Sequence, residues 1–236
     1  MFKDLFGKAM LDFATNNNPE NISTETNISE PDEMEISYLF RSYNEMPKLE
    51  QKALQLAKGS ILDVGCGAGS HALHLQENGF PVIAIDISPN AIETCNIRGV
   101  KNAIVANILE LDDTVKFDTI YLLMNGTGIF GKLKNVDQYL SKLKNLLTPT
   151  GQILIDSSDI IYMFDEDDDG GKWIPLYSDY YGELTFNIKY KGENEEPFDW
   201  LYLDFNTLVN ACASQNLKCE LVKEGSNFDY LARITK

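Results

Sequence analysis

The feature that most constrains the fold is a glycine-rich turn between a short apolar run and a helix-compatible segment. The apolar run spans residues 60–64 and contains one acid, Asp63. Three glycines then fall at alternate positions: Gly65, Gly67 and Gly69. Residues 70–78 are compatible with a helix. A strand, a glycine turn and a helix in this order allow bare backbone to approach a nucleotide-like ligand, so we expect a ligand site at this turn.

Strand-like and helix-like segments alternate regularly through the middle of the chain. The strand-like runs, which are apolar on both faces, are residues 60–64, 81–85, 103–106, 117–123 and 151–156. The helix-like segments are residues 70–78, 89–97 and 136–147. Such strands favour a parallel sheet covered by helices on both sides. Two final strands, at 217–222 and 228–234, predict an antiparallel pair. The predicted fold class is therefore α/β, with a mostly parallel, seven-stranded, doubly wound sheet ending in an antiparallel strand pair.

Two segments are expected to decorate this sheet. Residues 1–58 have helical patterns at both ends and predict an N-terminal helical cap or lid within the same domain. The polar residues 15–35 inside this cap predict a flexible loop or lid. Residues 59–236 are predicted to form the main domain, with an insertion at about 157–203 that contains a β-hairpin.

The formal net charge of −16 disfavours several classes of partner. A chain this acidic repels nucleic-acid phosphates and anionic membrane surfaces unless it carries a dense basic patch, and none is evident. The four cysteines show no CxxC spacing, and no apolar run approaches the length of a membrane span. We therefore expect a cytoplasmic protein with reduced thiols and without a nucleic-acid or membrane partner.

A second acid, Asp86, lies at the end of the next strand-like run. An acid at this place can accept two hydrogen bonds from a ribose 2′,3′-diol, and Ile87 after it can lie against an adenine ring. Dinucleotide-binding turns use the spacing G-x-G-x-x-G, in which Ser70 would stand in place of the third glycine. The spacing therefore disfavours a nucleotide-dependent oxidoreductase.

The pattern D-x-G-x-G-x-G from Asp63 to Gly69, followed by the segment DISPNAIETC from Asp86, resembles the first two motifs of class I (Rossmann-like) S-adenosylmethionine-dependent methyltransferases. The resemblance covers about residues 37–156 and, more weakly, 204–236. It implies S-adenosylmethionine as the methyl donor and S-adenosylhomocysteine as the product. It also implies a set of cofactor-binding residues: Asp63, Gly65, Gly67, Gly69, Asp86, Ile87, Asn107, Ile108, Met124, Arg41 and Tyr43.

The resemblance suggests separate roles for several of these residues. Asp63 would receive the ammonium group of the methionine part, directly or through water. Arg41 and Tyr43 stand where family members often place a side chain against the methionine carboxylate. Asn107 stands where many members have an acid for the adenine amino group, and we expect its carbonyl to accept that hydrogen bond.

Two side chains are candidates for catalysis. Asn125 follows the strand-like run 117–123, and catalytic residues concentrate at the carboxyl ends of central strands. His71 lies near the start of the helix after the glycine turn, where it would face the cofactor or act as a base, unless its role is structural. The spacing of His71 and His74 lacks further ligands, so no metal site is expected. Residues 125–128 lack the [DN]-P-P-[YFW] motif of methyltransferases that modify amino groups of nucleic acids or protein glutamine.

These residues predict methyl transfer from S-adenosylmethionine to a small-molecule acceptor. Such a transfer needs close in-line placement more than acid–base groups. One aromatic set forms either the wall of the acceptor pocket or the core of the inserted hairpin: Trp173, Tyr177, Tyr180, Tyr181, Phe186, Phe198, Trp200 and Tyr202. The alternative function is a non-catalytic regulatory or partner protein that binds S-adenosylmethionine, because no triad, metal site or paired carboxylates are evident.

Overall fold

The helices and strands of a computed structural model follow the predicted alternation, and the structure describes residues 2–167, 169, 171–174 and 179–236. The helices in these residues are α1 Leu5–Ala14, α2 Lys48–Gln55, α3 Ser70–Glu77, α4 Pro89–Arg98, α5 Val136–Leu146 and α6 Phe205–Ser214. The strands are β1 Ile22–Thr26, β2 Ser29–Met34, β3 Ile61–Val64, β4 Val82–Asp86, β5 Ala103–Val105, β6 Phe117–Leu122, β7 Leu147–Ser158, β8 Glu183–Tyr190, β9 Glu193–Asn194, β10 Phe198–Leu201, β11 Lys218–Glu224 and β12 Asp229–Thr235. None of these helices combines the length and the apolar character needed to cross a bilayer.

A seven-stranded sheet has the strand order β11-β12-β7-β6-β3-β4-β5. Neighbours from β7 to β5 are parallel, whereas β12 is antiparallel to both β7 and β11. Buried apolar clusters lie on its two faces, because successive residues of a strand point to opposite sides. Leu62 packs with α5 and α6 on one face, and Ile61 packs with α2 and α3 on the other. The predicted fold class, including the final antiparallel pair, is confirmed.

The strand order reverses direction at β3, which lies between β4 and β6. In sheets of this kind, ligands bind in the crevice at the carboxyl ends of the strands where the order reverses. The glycine turn starts directly after Val64, the last residue of β3. The topology therefore places the turn at the point where a ligand site is expected.

A second, smaller sheet joins the N-terminal segment to the insertion. Its strand order is β10-β8-β1-β2, and β9 pairs with β8. β8 and β10 form the predicted hairpin of the insertion, with Phe186 opposite Phe198. The prediction of a flexible loop at residues 15–35 is wrong for the centre of this segment, where β1 pairs with β2 and with β8. The small sheet takes strands from both segments, so the division into a cap at 1–58 and a main domain at 59–236 remains a proposal.

Helix α1 packs between the small sheet and the glycine turn. Glu195 accepts hydrogen bonds from two backbone amides at the start of α1, at 2.8 and 2.9 Å. Asp12, near the end of the helix, accepts one from the Tyr190 hydroxyl at 3.0 Å. Met10 shares a buried apolar cluster with Ala68 of the glycine turn. The N-terminal helix therefore covers the turn and is fixed to the insertion at both of its ends.

Candidate functional site

The glycine turn is open at its centre. Its glycines have left-handed φ values of +69° at Gly65, +52° at Gly67 and +81° at Gly69. A Cβ at Gly67 would meet Met10 Sδ at 3.7 Å as its nearest neighbour among the described residues. The left-handed conformation disfavours any L-residue at Gly67, and the space beside its backbone is free for a ligand.

Asp86, at the end of β4, is hydrogen-bonded to the glycine turn. Its Oδ2 accepts a hydrogen bond from Gly67 N and its Oδ1 accepts one from Ser88 N, both at 2.9 Å. Burial raises the pKa of this carboxyl, and the backbone hydrogen bonds oppose part of the rise. A carboxylate has about four acceptor positions, so each oxygen keeps capacity for a further donor. Ile87, beside this acid, is 61% exposed, so its side chain is available to contact a flat ring.

The third predicted position lies after β5, beside the end of β4. Ala106 N donates a hydrogen bond to the backbone oxygen of Asp86 at 2.9 Å, and Asn107 is the next residue. The Asn107 Oδ1 accepts a hydrogen bond from Leu109 N at 3.0 Å. Ile108 is only 3% exposed and packs in the core. The structure therefore brings Asn107 next to Asp86, whereas the side chain of Ile108 supports the core.

Asp63 is buried beneath the first turn of α3. It is 2% exposed, and the backbone amide of Ala72 in α3 favours its charged form. Its Oδ2 has no hydrogen-bond partner in the part of the chain that the structure describes. Burial raises the pKa of Asp63 to about 6, although the charge of His71 opposes the rise. Asp63 thus lies close to His71, and its contact with a methionine ammonium remains a prediction.

The variant Asp63→Asn tests this burial through the pH dependence of stability. Because the native pKa of about 6 exceeds the ordinary value of 3.8, the native state binds a proton more readily than the unfolded chain between these values. The contribution of Asp63 to the free energy of unfolding is therefore largest at about pH 4 and below. It declines by about 3 kcal/mol as the pH rises through 6. We expect urea unfolding to show that the wild type, relative to Asp63→Asn, is less stable at about pH 7 than at about pH 4. An equal difference in free energy of unfolding between the two proteins at both pH values would contradict this expectation.

Arg41 belongs to a buried cluster of charged side chains. Its Nη2 lies 2.6 and 2.8 Å from the two carboxylate oxygens of Glu50. The Oε2 of Glu50 also lies 2.7 Å from His71 Nε2. Burial would raise the pKa of Glu50, but His71 and Arg41 together lower it below its usual value. The Nη2 of Arg41 also lies 3.7 Å from Met124 Sδ at the end of β6. Glu50 therefore connects predicted site residues and is itself a residue that the sequence analysis missed.

A sequence signal for Glu50 was available. Ala53 and Leu54 follow it by three and four residues, which places all three on one face of α2, and that face is buried. An acid on an apolar helix face is almost always paired when it is buried. The pattern alone could have marked Glu50 as a paired acid, but its partners are distant in sequence.

The catalytic candidate His71 is bonded in the protein interior. It is 7% exposed, and its Nε2 faces Glu50. Burial alone would lower the pKa of His71, but the hydrogen bond to Glu50 and the charge of Asp63 outweigh it and raise that pKa. An imidazole held in this way is a structural partner of Glu50, and the raised pKa favours its protonated form. Its role as a base stays a prediction that these contacts do not support.

Tyr43 lies outside the charged cluster. Its ring stacks on His74, with ring centroids 4.3 Å apart. Its hydroxyl accepts a hydrogen bond from Gln55 Nε2 at 2.9 Å. The structure therefore brings Arg41 to the end of β6 and places Tyr43 against the later part of α3.

The chain leaves β6 through two consecutive left-handed residues, Met124 (φ 68°) and Asn125 (φ 59°). Asp156 holds this turn, because its carboxylate accepts hydrogen bonds from two of the turn's backbone amides at 2.9 and 3.1 Å. The Nδ2 of Asn125 donates to Leu201 O at 3.3 Å, and its Oδ1 accepts from Ser157 Oγ at 2.9 Å. The side chain of Asn125 thus joins β7 to β10. Its catalytic role stays a prediction.

An exposed aromatic pair lies at the same edge of the large sheet. Asp229 at the start of β12 is opposite Ser158 at the end of β7, so the residue before β12 lies at the carboxyl edge. That residue, Phe228, is 60% exposed and stacks on Tyr162 with ring centroids 4.9 Å apart. These two rings form an apolar surface beside the end of β7.

The aromatic set predicted in the insertion is divided by the structure. Phe186, Phe198 and Trp200 pack against one another within the small sheet. Tyr180 and Tyr181 pack together, and Trp173 is 67% exposed. Tyr177 lies outside the described residues. Three members of the set therefore pack in the hairpin, as one of the two alternatives predicted.

In the described ranges, no group of three or more His, Cys, Asp or Glu residues is arranged to hold a metal ion. The four cysteines are free. Two of them approach each other at the glycine turn, where Cys66 Sγ and Cys95 Sγ are 3.7 Å apart.

Comparison with known proteins identifies one family. A family profile described as a methyltransferase domain matches residues 56–222. An S-adenosylmethionine-dependent methyltransferase from Bacteroides fragilis, solved in complex with S-adenosyl-L-homocysteine, is 46% identical with a TM-score of 0.91. That match covers 99% of this chain and 94% of the other. A methyltransferase from Streptomyces caelestis, 15% identical with a TM-score of 0.61 over 82% of this chain and 94% of its own, shares the fold.

Curated relatives match a shorter part of the chain. A ubiquinone biosynthesis O-methyltransferase from Rickettsia felis is 31% identical over 121 residues, which are 51% of this chain and 46% of that protein. The protein of the same name from Rickettsia typhi is 32% identical over 114 residues, 48% of this chain and 42% of that protein. The matched region therefore spans less than half the length of these curated relatives.

Proposed function

The chain belongs to the methyltransferase-domain family and has the class I fold of its S-adenosylmethionine-dependent members, and from this premise we propose that it transfers a methyl group from S-adenosylmethionine to a small-molecule acceptor. The predicted family, fold and enzyme class are thereby confirmed. The observation that carries the proposal is the hydrogen bond between Asp86 Oδ2 and Gly67 N, which joins an acid suited to a ribose diol to the open glycine turn.

The residues around the turn fit this cofactor. Asp86 retains acceptor capacity for the ribose hydroxyls, and the exposed Ile87 offers an apolar surface to the adenine ring. Gly67 leaves the backbone accessible, and Arg41 has the charge and planar shape suited to a carboxylate. When bound, S-adenosylmethionine supplies a methyl group on a positively charged sulfur.

The protein's contribution to such a reaction is placement and exclusion of water. In-line attack on a methyl group depends on the position of the accepting atom more than on a strong base. Helix α1 covers the glycine turn, and Asp156 fixes the left-handed turn at Met124 where β6 ends. Because the side chains of Asn125 and His71 are bonded inside the protein, we assign the rate enhancement to positioning rather than to a dedicated base.

A small organic acceptor suits the surroundings better than a nucleic acid. Tyr162 and Phe228 present an aromatic surface at the carboxyl edge of the sheet, and the net charge of −16 opposes a polyanion. The Rickettsia relatives are named as O-methyltransferases, so an oxygen atom of a small organic molecule is the first acceptor to test. The free cysteines support a cytoplasmic location.

The alternative, a protein that binds S-adenosylmethionine without turnover, has less support. The Bacteroides fragilis relative, which matches this chain along nearly its whole length at 46% identity, is described as a methyltransferase. A chain this similar to a methyltransferase would lose catalysis only if residues of its active site had changed. We therefore treat the non-catalytic function as an outcome that the experiment must exclude.

Calorimetric titration with S-adenosylmethionine and with S-adenosylhomocysteine tests the proposal. We expect both to bind and to raise the melting temperature. No binding of either ligand up to about millimolar concentration would contradict the proposal. Transfer of a labelled methyl group to catechols, phenols or amines would then exclude the non-catalytic alternative. Binding without transfer to any metabolite of a cell extract would favour that alternative.

A further inference from the structure

We propose that Glu50 is a positioning residue that holds Arg41 and His71 ready for the carboxylate of the cofactor's amino-acid part. The inference rests on the proposed function, because it concerns the same cofactor. Glu50 lies on α2, outside the glycine-turn and ribose-acid motifs. Its contribution would be made through Arg41 and His71, the two side chains that it pairs.

The contacts of Glu50 leave its carboxylate with little freedom. One oxygen lies 2.6 Å from Arg41 Nη2, and the other lies 2.8 Å from the same nitrogen and 2.7 Å from His71 Nε2. The side chains of Glu50 and Arg41 are only 5% and 8% exposed. Charge-assisted bonds in a buried setting fix geometry strongly, so these contacts set the orientation of the guanidinium.

Among the three nitrogens of the Arg41 guanidinium, Nε has no hydrogen-bond partner in the described residues. Nη1 donates to Tyr38 O, and Nη2 is bonded to Glu50. The Nε atom is buried. An unpaired buried donor on a cation is costly, and an anionic ligand would satisfy it. The orphaned Nε therefore points to a carboxylate as the missing partner.

The position of Arg41 matches one end of an elongated ligand. Arg41 contacts Met124 at the end of β6, whereas Asp86 ends β4, and these two strands lie on opposite sides of β3. The segment before Arg41 is also fixed to the glycine turn, because Ser70 Oγ donates to Leu39 O at 2.7 Å. A ligand with its ribose at Asp86 and its body over the turn would direct its other end toward Arg41.

The electrostatics of the cluster explain why an acid is needed at Glu50. Arg41 is a cation in a water-poor interior, and the carboxylates of Glu50 and of Asp63, which faces His71 from β3, raise the pKa of His71. Without Glu50, Arg41 and His71 would no longer share a fixed partner, and the buried guanidinium would lose its counter-ion.

Titration of Glu50→Gln with two ligands tests the inference. S-Adenosylhomocysteine carries the amino-acid part, whereas 5′-methylthioadenosine has the same adenosine and lacks that part. We expect Glu50→Gln to bind S-adenosylhomocysteine at least about tenfold more weakly and 5′-methylthioadenosine with unchanged affinity. Glu77→Gln, which removes an exposed acid at the end of α3, should change neither affinity.

Each other outcome of the titration overturns a different statement. An equal loss of affinity for both ligands would give Glu50 a purely structural role, and unchanged affinity for both would remove it from the site. If Glu50→Gln does not fold, Glu50→Asp decides by the same two titrations, because it keeps the acid and draws its carboxylate away from Arg41 and His71. A wild-type protein that binds neither ligand would contradict the proposed function itself rather than the role of Glu50.

Discussion

Replacing Gly67 with valine is expected to abolish binding of S-adenosylhomocysteine while the protein stays folded. Gly67 has a φ of +52°, and an added Cβ would meet Met10 Sδ at 3.7 Å, an ordinary van der Waals distance. The fold has room for the added Cβ, although the left-handed backbone strains any L-residue, and the side chain would fill the space where the cofactor must approach the backbone. Gly67 N also donates to Asp86, so a shifted turn would disturb the ribose acid as well. Calorimetry gives the affinity, and circular dichroism reports the fold.

Gly79→Val separates steric exclusion of the ligand from backbone strain. Gly79 follows α3 with a φ of +86°, and a Cβ there meets nothing within 4 Å among the described residues. Both variants should lose about 1–2 kcal/mol of stability, because valine is disfavoured in the left-handed region. Only Gly67→Val should lose the ligand. Retention of wild-type affinity by Gly67→Val would show that the turn does not contact the cofactor.

The centre of the site could be predicted from the sequence because its parts are local. Asp86 and the glycine turn each follow a strand-like run directly, and parallel neighbours bring their carboxyl ends to one edge. The hydrogen bond between Asp86 and Gly67 N is a consequence of that register, in which Val64 pairs with Ile85. No long-range information was needed beyond the alternation of strands and helices.

The small sheet could not be predicted in the same way. β1 contains one fully buried residue, Ile22, so its hydrophobic pattern is too weak to indicate a strand. Its stability depends on β8, whose Ile188 lies opposite Thr24 although the two are far apart in the sequence. A polar strand that is completed by a distant partner has the local sequence of a loop.

Side-chain direction was the other property that the sequence did not determine. Asn125 lies at the end of β6 as predicted, but its left-handed φ and the acceptor Leu201 O turn its side chain toward β10. Tyr43 lies close to Arg41 in sequence, yet it stacks on His74 instead of joining the charged cluster. Contacts made by β10 and α3 decide these orientations, and both elements are distant from the residues that they orient.

Asp86→Ala is expected to weaken binding of S-adenosylhomocysteine by about two to four orders of magnitude. Two hydrogen bonds from a ribose diol to a carboxylate are each worth about 1.5–3 kcal/mol, and the variant removes both acceptors. It also removes the acceptors of Gly67 N and Ser88 N, and the space left by the carboxylate allows a water molecule to take their place. We therefore expect a modest loss of thermal stability and a large loss of affinity. Calorimetry and thermal unfolding of the same preparation measure the two effects separately.

The choice of ligand distinguishes Asp86, which we expect to bind the ribose, from the part of the site that we expect to bind the carboxylate of the cofactor. S-Adenosylhomocysteine and 5′-methylthioadenosine both carry the ribose diol, so Asp86→Ala should weaken both to a similar extent, whereas Glu50→Gln should weaken only the first. Asp32→Ala, which removes an exposed acid of β2, should bind both like the wild type. A loss confined to S-adenosylhomocysteine in Asp86→Ala would move Asp86 to the amino-acid end and reverse the orientation of the ligand across β3. Equal losses of affinity for the two ligands would place the adenosine over β4. The amino-acid part and the transferred methyl group would then lie on the side of β6, near Arg41 and Met124.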